Sequence, residues 1–228
     1  MEQYEKVCER ARAEFVKNPS DSEEVALGGV ICSYAYNLHL AGQLDKAEKL
    51  YRESETIRKK FAGRNSDDYE SLRSYSVNLY RLANLLESGA KDEATSRYAE
   101  CLEIRRRLAE KNPDIKNEAL LAVALARTAE TESALELARR LDANEEVKGS
   151  YGVRVARAFV QCSRFVEDAK EKELLVKRGL ASLQKAIAGG FSDKFAIETE
   201  PDFQPVAKRT EFREMIDGLN KASSADSN

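Results

Sequence analysis

The chain has 228 residues, of which 34% are charged, yet its formal net charge is only −3. That length suffices for one or two domains with real cores, and the balanced sign excludes the marked basic excess of a nucleic-acid binder. No apolar run reaches the roughly 18 residues needed to cross a bilayer, so no membrane insertion is expected; glycine (11) and proline (4) are scarce, as in helix-rich proteins.

Residues 3–17 read as a leading helix, charged throughout and therefore no signal peptide. A first helix pair is expected at 23–41 and 44–61. Ile31, Ala35 and Leu38 stripe its first helix, and Ala47, Tyr51, Ser54 and Ile57 stripe its second at i, i+4, i+7 and i+10. Gly42 stands at the break, where a left-handed C-cap favours glycine. Small residues at Ala35 and Ala47 let the two helices approach. A second pair is expected at 68–87 and 91–111. The run Arg105-Arg106-Arg107 in it points in three directions around the helix and reads as a solvated face.

A third, degenerate pair falls at 116–128 and 131–142, and its turn "ARTAETESA" has no glycine. A fourth, at 147–167 and 171–188, carries the stripes Val155/Phe159/Cys162/Val166 and Val176/Leu180/Leu183/Ile187. The carboxylate pairs Asp67-Asp68 and Glu145-Glu146 are expected at helix starts, where negative charge suits the helix dipole. Residues 189–220 then read as a cap. Gly189-Gly190 follows a helix rather than a strand, so it is a helix stop and not a phosphate loop. Phe191 and Phe195 fold back as apolar plugs, Pro201 restarts a short helix, and Thr210 N-caps a last helix striped by Phe212, Met215, Ile216 and Leu219. Residues 221–228, "KASSADSN", read as a frayed, disordered tail.

Overlaying the chain on itself shows a repeat. "GQLDKAEKLYRESETIRKKF" from Gly42 matches "GAKDEATSRYAECLEIRRRL" from Gly89 at an offset of 47 residues. The offset pairs Ala47 with Ala94, Tyr51 with Tyr98 and Ile57 with Ile104. The tripeptide "KNP" recurs at 17–19 and 111–113, two periods apart. A fixed period with helical patterning signals a stacked helical solenoid.

These positions resemble the tetratricopeptide repeat (TPR) family: Ala35, Gly42, Ala47, Tyr51 and Ser54 in one copy, and Ala83, Gly89, Ala94, Tyr98 and Cys101 in the next. Ala122, Ala134, Ala138 and Leu141 keep the spacing in a third copy. The family's first-helix tryptophan is missing, and the period exceeds the usual length of about 34 residues, as in kinesin light chain-type repeats. The C-terminal stretch, through Ala188, Gly190, Phe191, Asp193, Pro201, Asp202, Phe203, Phe212 and Ile216, resembles the end of the TPR regions attached to planctomycete-type bacterial serine/threonine protein kinases. The resemblance covers about residues 30–219. It implies an all-α, right-handed TPR-like superhelix of about four helix pairs (the array 1–188), serving in the cytoplasm as a docking or regulatory region. No kinase motif is present: neither HRD nor DFG occurs.

In that family partner peptides lie in a concave groove, whose positions fall here on Tyr36, His39, Tyr80, Asn84 and Glu87. Aromatic and amide side chains suit peptide recognition. Some of the tyrosines would equally serve to pack one pair against the next. His39, the sole histidine, reads either as a groove contact or as a partly exposed helix residue. No oriented partner makes it a catalytic base. The chaperone-type carboxylate clamp is not expected, because Tyr36 stands where its first Asn would be and no groove lysine is apparent. Cys8, Cys32, Cys101 and Cys162 lie far apart and read as reduced, mostly buried thiols with no metal role. The expected function is therefore non-catalytic protein–protein interaction without metal or cofactor. The alternatives are a cis-acting regulatory tail of a longer kinase, or a self-associating scaffold such as a homodimer.

Overall fold

The computed structural model describes residues 2–64 and 68–225, with side chains as far as Leu219. Every regular element in the described residues is a helix. The chain divides into two compact units, Met1–Leu108 and Ala109–Asn228.

The first unit begins with α1 (Glu2–Lys17), α2 (Asp21–Leu40), α3 (Leu44–Arg64), α4 (Tyr69–Leu86) and the larger part of α5 (Lys91–Lys111). Ser20 caps α2, accepting from the Glu23 amide, and Asp68 caps α4, accepting from the amides of Glu70 and Ser71. Asp67, its expected companion, lies outside the described residues. Between α2 and α3 the chain turns at Gly42, whose φ is +74°. There the Gln43 amide donates to the Leu38 carbonyl at 2.9 Å, the left-handed stop that Gly42 was expected to supply. Gly89 is its sequence equivalent only. It stays out of the left-handed region, and the α4–α5 turn closes through the Ala90 amide on the Leu86 carbonyl at 2.8 Å.

Helices α2 and α3 run antiparallel. The end of α3 meets the start of α2 through Arg64–Asp21 at 2.6 Å and Lys60–Glu24 at 2.5 Å. Their seam is closed by Ile31, Ala35, Leu38, Ala47 and Tyr51, all at 2% exposure or less. Gly28 permits the approach, since a Cβ there would stand 3.0 Å from Ile57 Cγ2. The α4–α5 pair is fastened by Tyr75 Oη donating to Glu100 at 2.7 Å and by the Cys101 thiol on the Ser76 carbonyl at 3.3 Å. The leading helix has a definite place. Arg12 of α1 pairs with Glu53 of α3 just as Arg52 of α3 pairs with Glu93 of α5, each across 41 residues. Thus α1 stands to α3 as α3 stands to α5, in the role of a second helix of a pair.

The second unit holds α6 (Ile115–Arg127), α7 (Thr131–Asp142), α8 (Gly149–Cys162), α9 (Ala169–Ala188), α10 (Lys194–Glu198) and α11 (Thr210–Ala225), with 3-10 turns at Ser163–Phe165 and Pro201–Phe203. The glycine-free turn after α6 keeps its left-handed residue: Ala129 has φ +61°. The carboxylates Glu145 and Glu146 sit in the α7–α8 turn rather than at a helix start, because α8 begins only at Gly149. Helices α8 and α9 pack most closely at Gly179, where a Cβ would lie 2.7 Å from Val160 Cγ2. At the end of α9, Gly190 (φ +98°) turns the chain back, and the Phe191 amide reaches the Ala186 carbonyl at 3.1 Å. The closing segment then buries Ile197, Phe203, Val206, Phe212, Ile216 and Leu219 against Val176, Leu180 and Leu183.

Two details of that closure differ from the sequence reading. Phe191 packs on the cluster, but Phe195 is 56% exposed; Ile197, two residues on, is the buried plug. The single turn and a half of α10 carries Ile197 inward, and residues two apart on a helix point to different faces. Helix α11 starts at Thr210 itself and its backbone runs to Ala225, through the first five residues of the expected tail; residues 226–228 lie outside the described ones.

Candidate functional site: an aromatic and arginine-lined face of α2 and α4

Four of the expected groove residues are partly exposed or at the rim of one face in the first unit, and the fifth is not. Tyr36, His39, Asn84 and Glu87 are half-buried. Tyr80 is 5% exposed, with its ring 5.7 Å from that of Tyr98 and covered by the Arg105 guanidinium at 4.7 Å. Tyr80 of α4 thus packs on Tyr98 and Arg105 of α5, within its own helix pair rather than against the next one. Arg105 is itself only 3% exposed, so the first arginine of the triple run is not solvated. Asn84 is engaged through its Oδ1, which accepts from the Tyr98 hydroxyl.

The sequence reading missed the arginines of this face. Arg81 of α4 lays its guanidinium 4.2 Å above the Tyr36 ring and brings Nη1 to 3.6 Å from Cys32 Sγ. Arg58 of α3 lies beside it, its Nε donating to Ser54 Oγ at 3.1 Å while Ser54 Oγ donates to the Gly28 carbonyl at 2.8 Å. A signal for Arg81 existed: it interrupts the apolar run "SVNLYRLANLL", where a charge has to be accommodated rather than simply hydrated.

His39 stands 6.2 Å from the Tyr51 ring, edge to face. Burial holds its pKa below the ordinary histidine value, so it is neutral near pH 7. The Tyr51 hydroxyl is buried and has no hydrogen-bond partner among the described residues, and burial pushes its pKa far up, so it does not ionise. All four cysteines are free and buried, and burial raises the thiols of Cys101 and, to about 12, Cys162, which keeps them unreactive. Among the described residues no three His, Cys, Asp or Glu side chains gather as a metal site, and no helix is long and apolar enough to cross a membrane.

The second unit handles its arginines differently. Asp202, fully buried, accepts from Arg127 Nε at 2.5 Å on one oxygen and from Arg157 Nε at 2.7 Å on the other. Gln161 donates to the Asp202 carbonyl at 2.7 Å, and Glu200 takes a second bond from Arg157 at 3.1 Å. Burial raises the Glu200 carboxyl above its usual pKa, with Arg157 pulling the other way. This knot ties the closing segment to α6 and α8. It is structural, since every charge in it is answered from within the chain.

Fold and site together define an all-α protein of packed adjacent helix pairs, the construction from which α-solenoids are made. No family model matches the sequence, and no curated protein does. Among solved structures the chain is similar to the crystal structure of BtubC (BKLC) from P. vanneervenii, at 21% identity and a TM-score of 0.54, over 99% of this chain and 90% of that one. At that identity the likeness is one of fold alone.

Proposed function

We propose that this chain is a non-catalytic protein–protein interaction module, a right-handed TPR-like array that docks a peptide or protein surface on the face of α2 and α4. The observation that carries the reading is that face itself. Tyr36 and Asn84 are partly exposed on neighbouring first helices, and Arg81 lies over the Tyr36 ring, so an aromatic ring, an amide and a guanidinium stand on α2 and α4 where a peptide can meet them. His39 and Glu87 extend it, and Tyr80 supports it from below. The 47-residue repeat of the sequence supports the array, and the resemblance of the C-terminal segment supports a role linked to bacterial serine/threonine kinase signalling in the cytoplasm.

Affinity capture from native lysate, run with the wild-type chain, Tyr36→Ala and Asn84→Ala, tests the docking face. Loss of a specific partner with both variants is the expected result, with circular dichroism unchanged. Recovery of the same partner by all three proteins overturns the assignment to this face.

A self-associating role has one observation of its own: α1 leaves Val7 at 51% and Val16 at 78% exposure. Light scattering at increasing concentration tests it; a strictly monomeric mass removes it.

A further inference from the structure

Gly29, Cys32, Tyr36 and His39 recur along α2 at i, i+3, i+7 and i+10 and form one line on the helix surface. Two guanidinium groups reach that line from other helices. Arg58 Nη2 lies 3.8 Å from where a Cβ on Gly29 would stand. Arg81 covers Tyr36 and touches Cys32. Among the described residues neither arginine meets a carboxylate: Arg58 donates to a hydroxyl, and Arg81 to a thiol.

Beside Arg58 opens a cavity of about 520 Å³ with an apolar floor of Val25, Ile57 and Phe61. Its acidic residues are already engaged. Asp21 holds Arg64 at 2.6 Å, Glu70 holds Arg73 at 2.6 Å, and Asp68 caps α4 and accepts from the Ser71 hydroxyl at 2.6 Å. Among the described residues the positive charges of Arg58 and Arg81 are therefore left without a carboxylate. Burial lowers the Arg58 pKa; Cys32 opposes this, and the nearby Arg81 and Arg73 add to it. A cation withdrawn from water is ordinarily paired, as the arginines around Asp202 are. Glycine at position 29 leaves the Nη2 edge of Arg58 approachable.

We infer that this face takes an acidic peptide segment, one carboxylate seating on Arg58 and a following one on Arg81, with a neighbouring apolar side chain over Val25, Ile57 and Phe61. A guanidinium offers a planar fork that a carboxylate fills with two bonds, and complementary charge sets which segment docks and in which register. The inference rests on the docking reading above and adds the chemistry of the partner.

A random peptide library of about twelve residues displayed on phage, panned against the full chain, is the test. Enriched peptides carry Asp or Glu beside Leu, Ile or an aromatic residue. In fluorescence anisotropy, replacing those acids by their amides weakens a synthetic hit at least about tenfold, and Arg58→Gln does the same. Gly29→Glu provides the second variant. It places a carboxylate on α2 against Arg58, so peptide affinity falls by a similar factor while the melting temperature rises, which loss of folding would not produce. Acid-containing hits bound equally by wild type, Arg58→Gln and Gly29→Glu overturn the inference. Neutral hits lost with Tyr36→Ala overturn it too, but leave the docking face standing. No enrichment over an unrelated helical protein removes both.

Discussion

Arg58 and Arg81 in the first unit and Arg127 and Arg157 in the second are all withdrawn from bulk water, yet they are answered in opposite ways. Around Asp202 the chain supplies the anion itself, at 2.5 and 2.7 Å, and adds Glu200 and Gln161. On the α2–α4 face it supplies a hydroxyl, a thiol and a ring. A charge completed internally belongs to the architecture. On the docking reading proposed above, the charge of Arg58 beside its cavity and that of Arg81 over Tyr36 serve a segment from outside the chain. The second unit's arginines close the fold, and the first unit's arginines are the ones assigned by the proposal to a docking surface.

The largest effect that would sharpen this contrast is at Asp202. Asp202→Asn removes the buried carboxylate shared by Arg127, 2% exposed in its side chain, and Arg157, and is expected to cost about 3–5 kcal/mol, read from the urea midpoint. Arg58→Gln, by contrast, should move that midpoint by no more than about 0.5 kcal/mol; a loss as large as that at Asp202 would make Arg58 structural and erase the distinction. Next comes the apolar part of the closure. Ile197→Ala should cost about 2–5 kcal/mol, while Phe195→Ala, two residues away and 56% exposed, stays within about 0.5 kcal/mol.

A smaller pair of effects compares the turns of the two units. Gly42 (φ +74°) has nothing within 4 Å of a would-be Cβ, so Gly42→Ala reports backbone strain alone. The expected loss is about 1–2 kcal/mol. Ala129 carries that strain already at φ +61°. Ala129→Gly should therefore stabilise, by about 0.5–1 kcal/mol once the added freedom of the unfolded chain is deducted.

The smallest effect is the pH dependence at His39. Its folded pKa lies below the ordinary value because of burial. The unfolded chain therefore takes up a proton first as pH falls past roughly 6.5. Stability is whole above that pH and declines on the way down to the folded pKa. Urea midpoints between pH 8 and pH 5 should fall, and His39→Gln should flatten the fall. An unchanged slope would show that His39 does not couple folding to pH.

Much of this was legible in the sequence. The helices were readable because apolar stripes at 3.6-residue spacing, caps such as Asp68 and the stop at Gly190 are local: each acts within a turn or two of its own chain. The close α2–α3 seam at Ala35, Ala47 and Tyr51 was readable because Ala47 and Tyr51 recur at the 47-residue offset as Ala94 and Tyr98, and Ala35 recurs one residue out of step as Ala83. The turn at Ala129 was not, since alanine gives no sign of a left-handed backbone. Nor was the inward turn of Ile197 in place of Phe195, because a five-residue helix is too short for its period to show.

The site was legible only in outline. Groove positions could be transferred by spacing, but spacing does not say that Tyr80 is sealed by Arg105 and Tyr98, or that Arg58 and Arg81 converge on one line of α2. Those arginines are 23 residues apart on different helices, and Arg127 and Asp202 are 75 apart. The sequence by itself determined the helices, their pairing and the closing segment, because those follow from short-range periodicity and backbone preference. Only the tertiary structure decided which charges are neutralised and which are left over, because electrostatic pairing depends on distance in space and on exclusion of water, and neither is written in the order of residues.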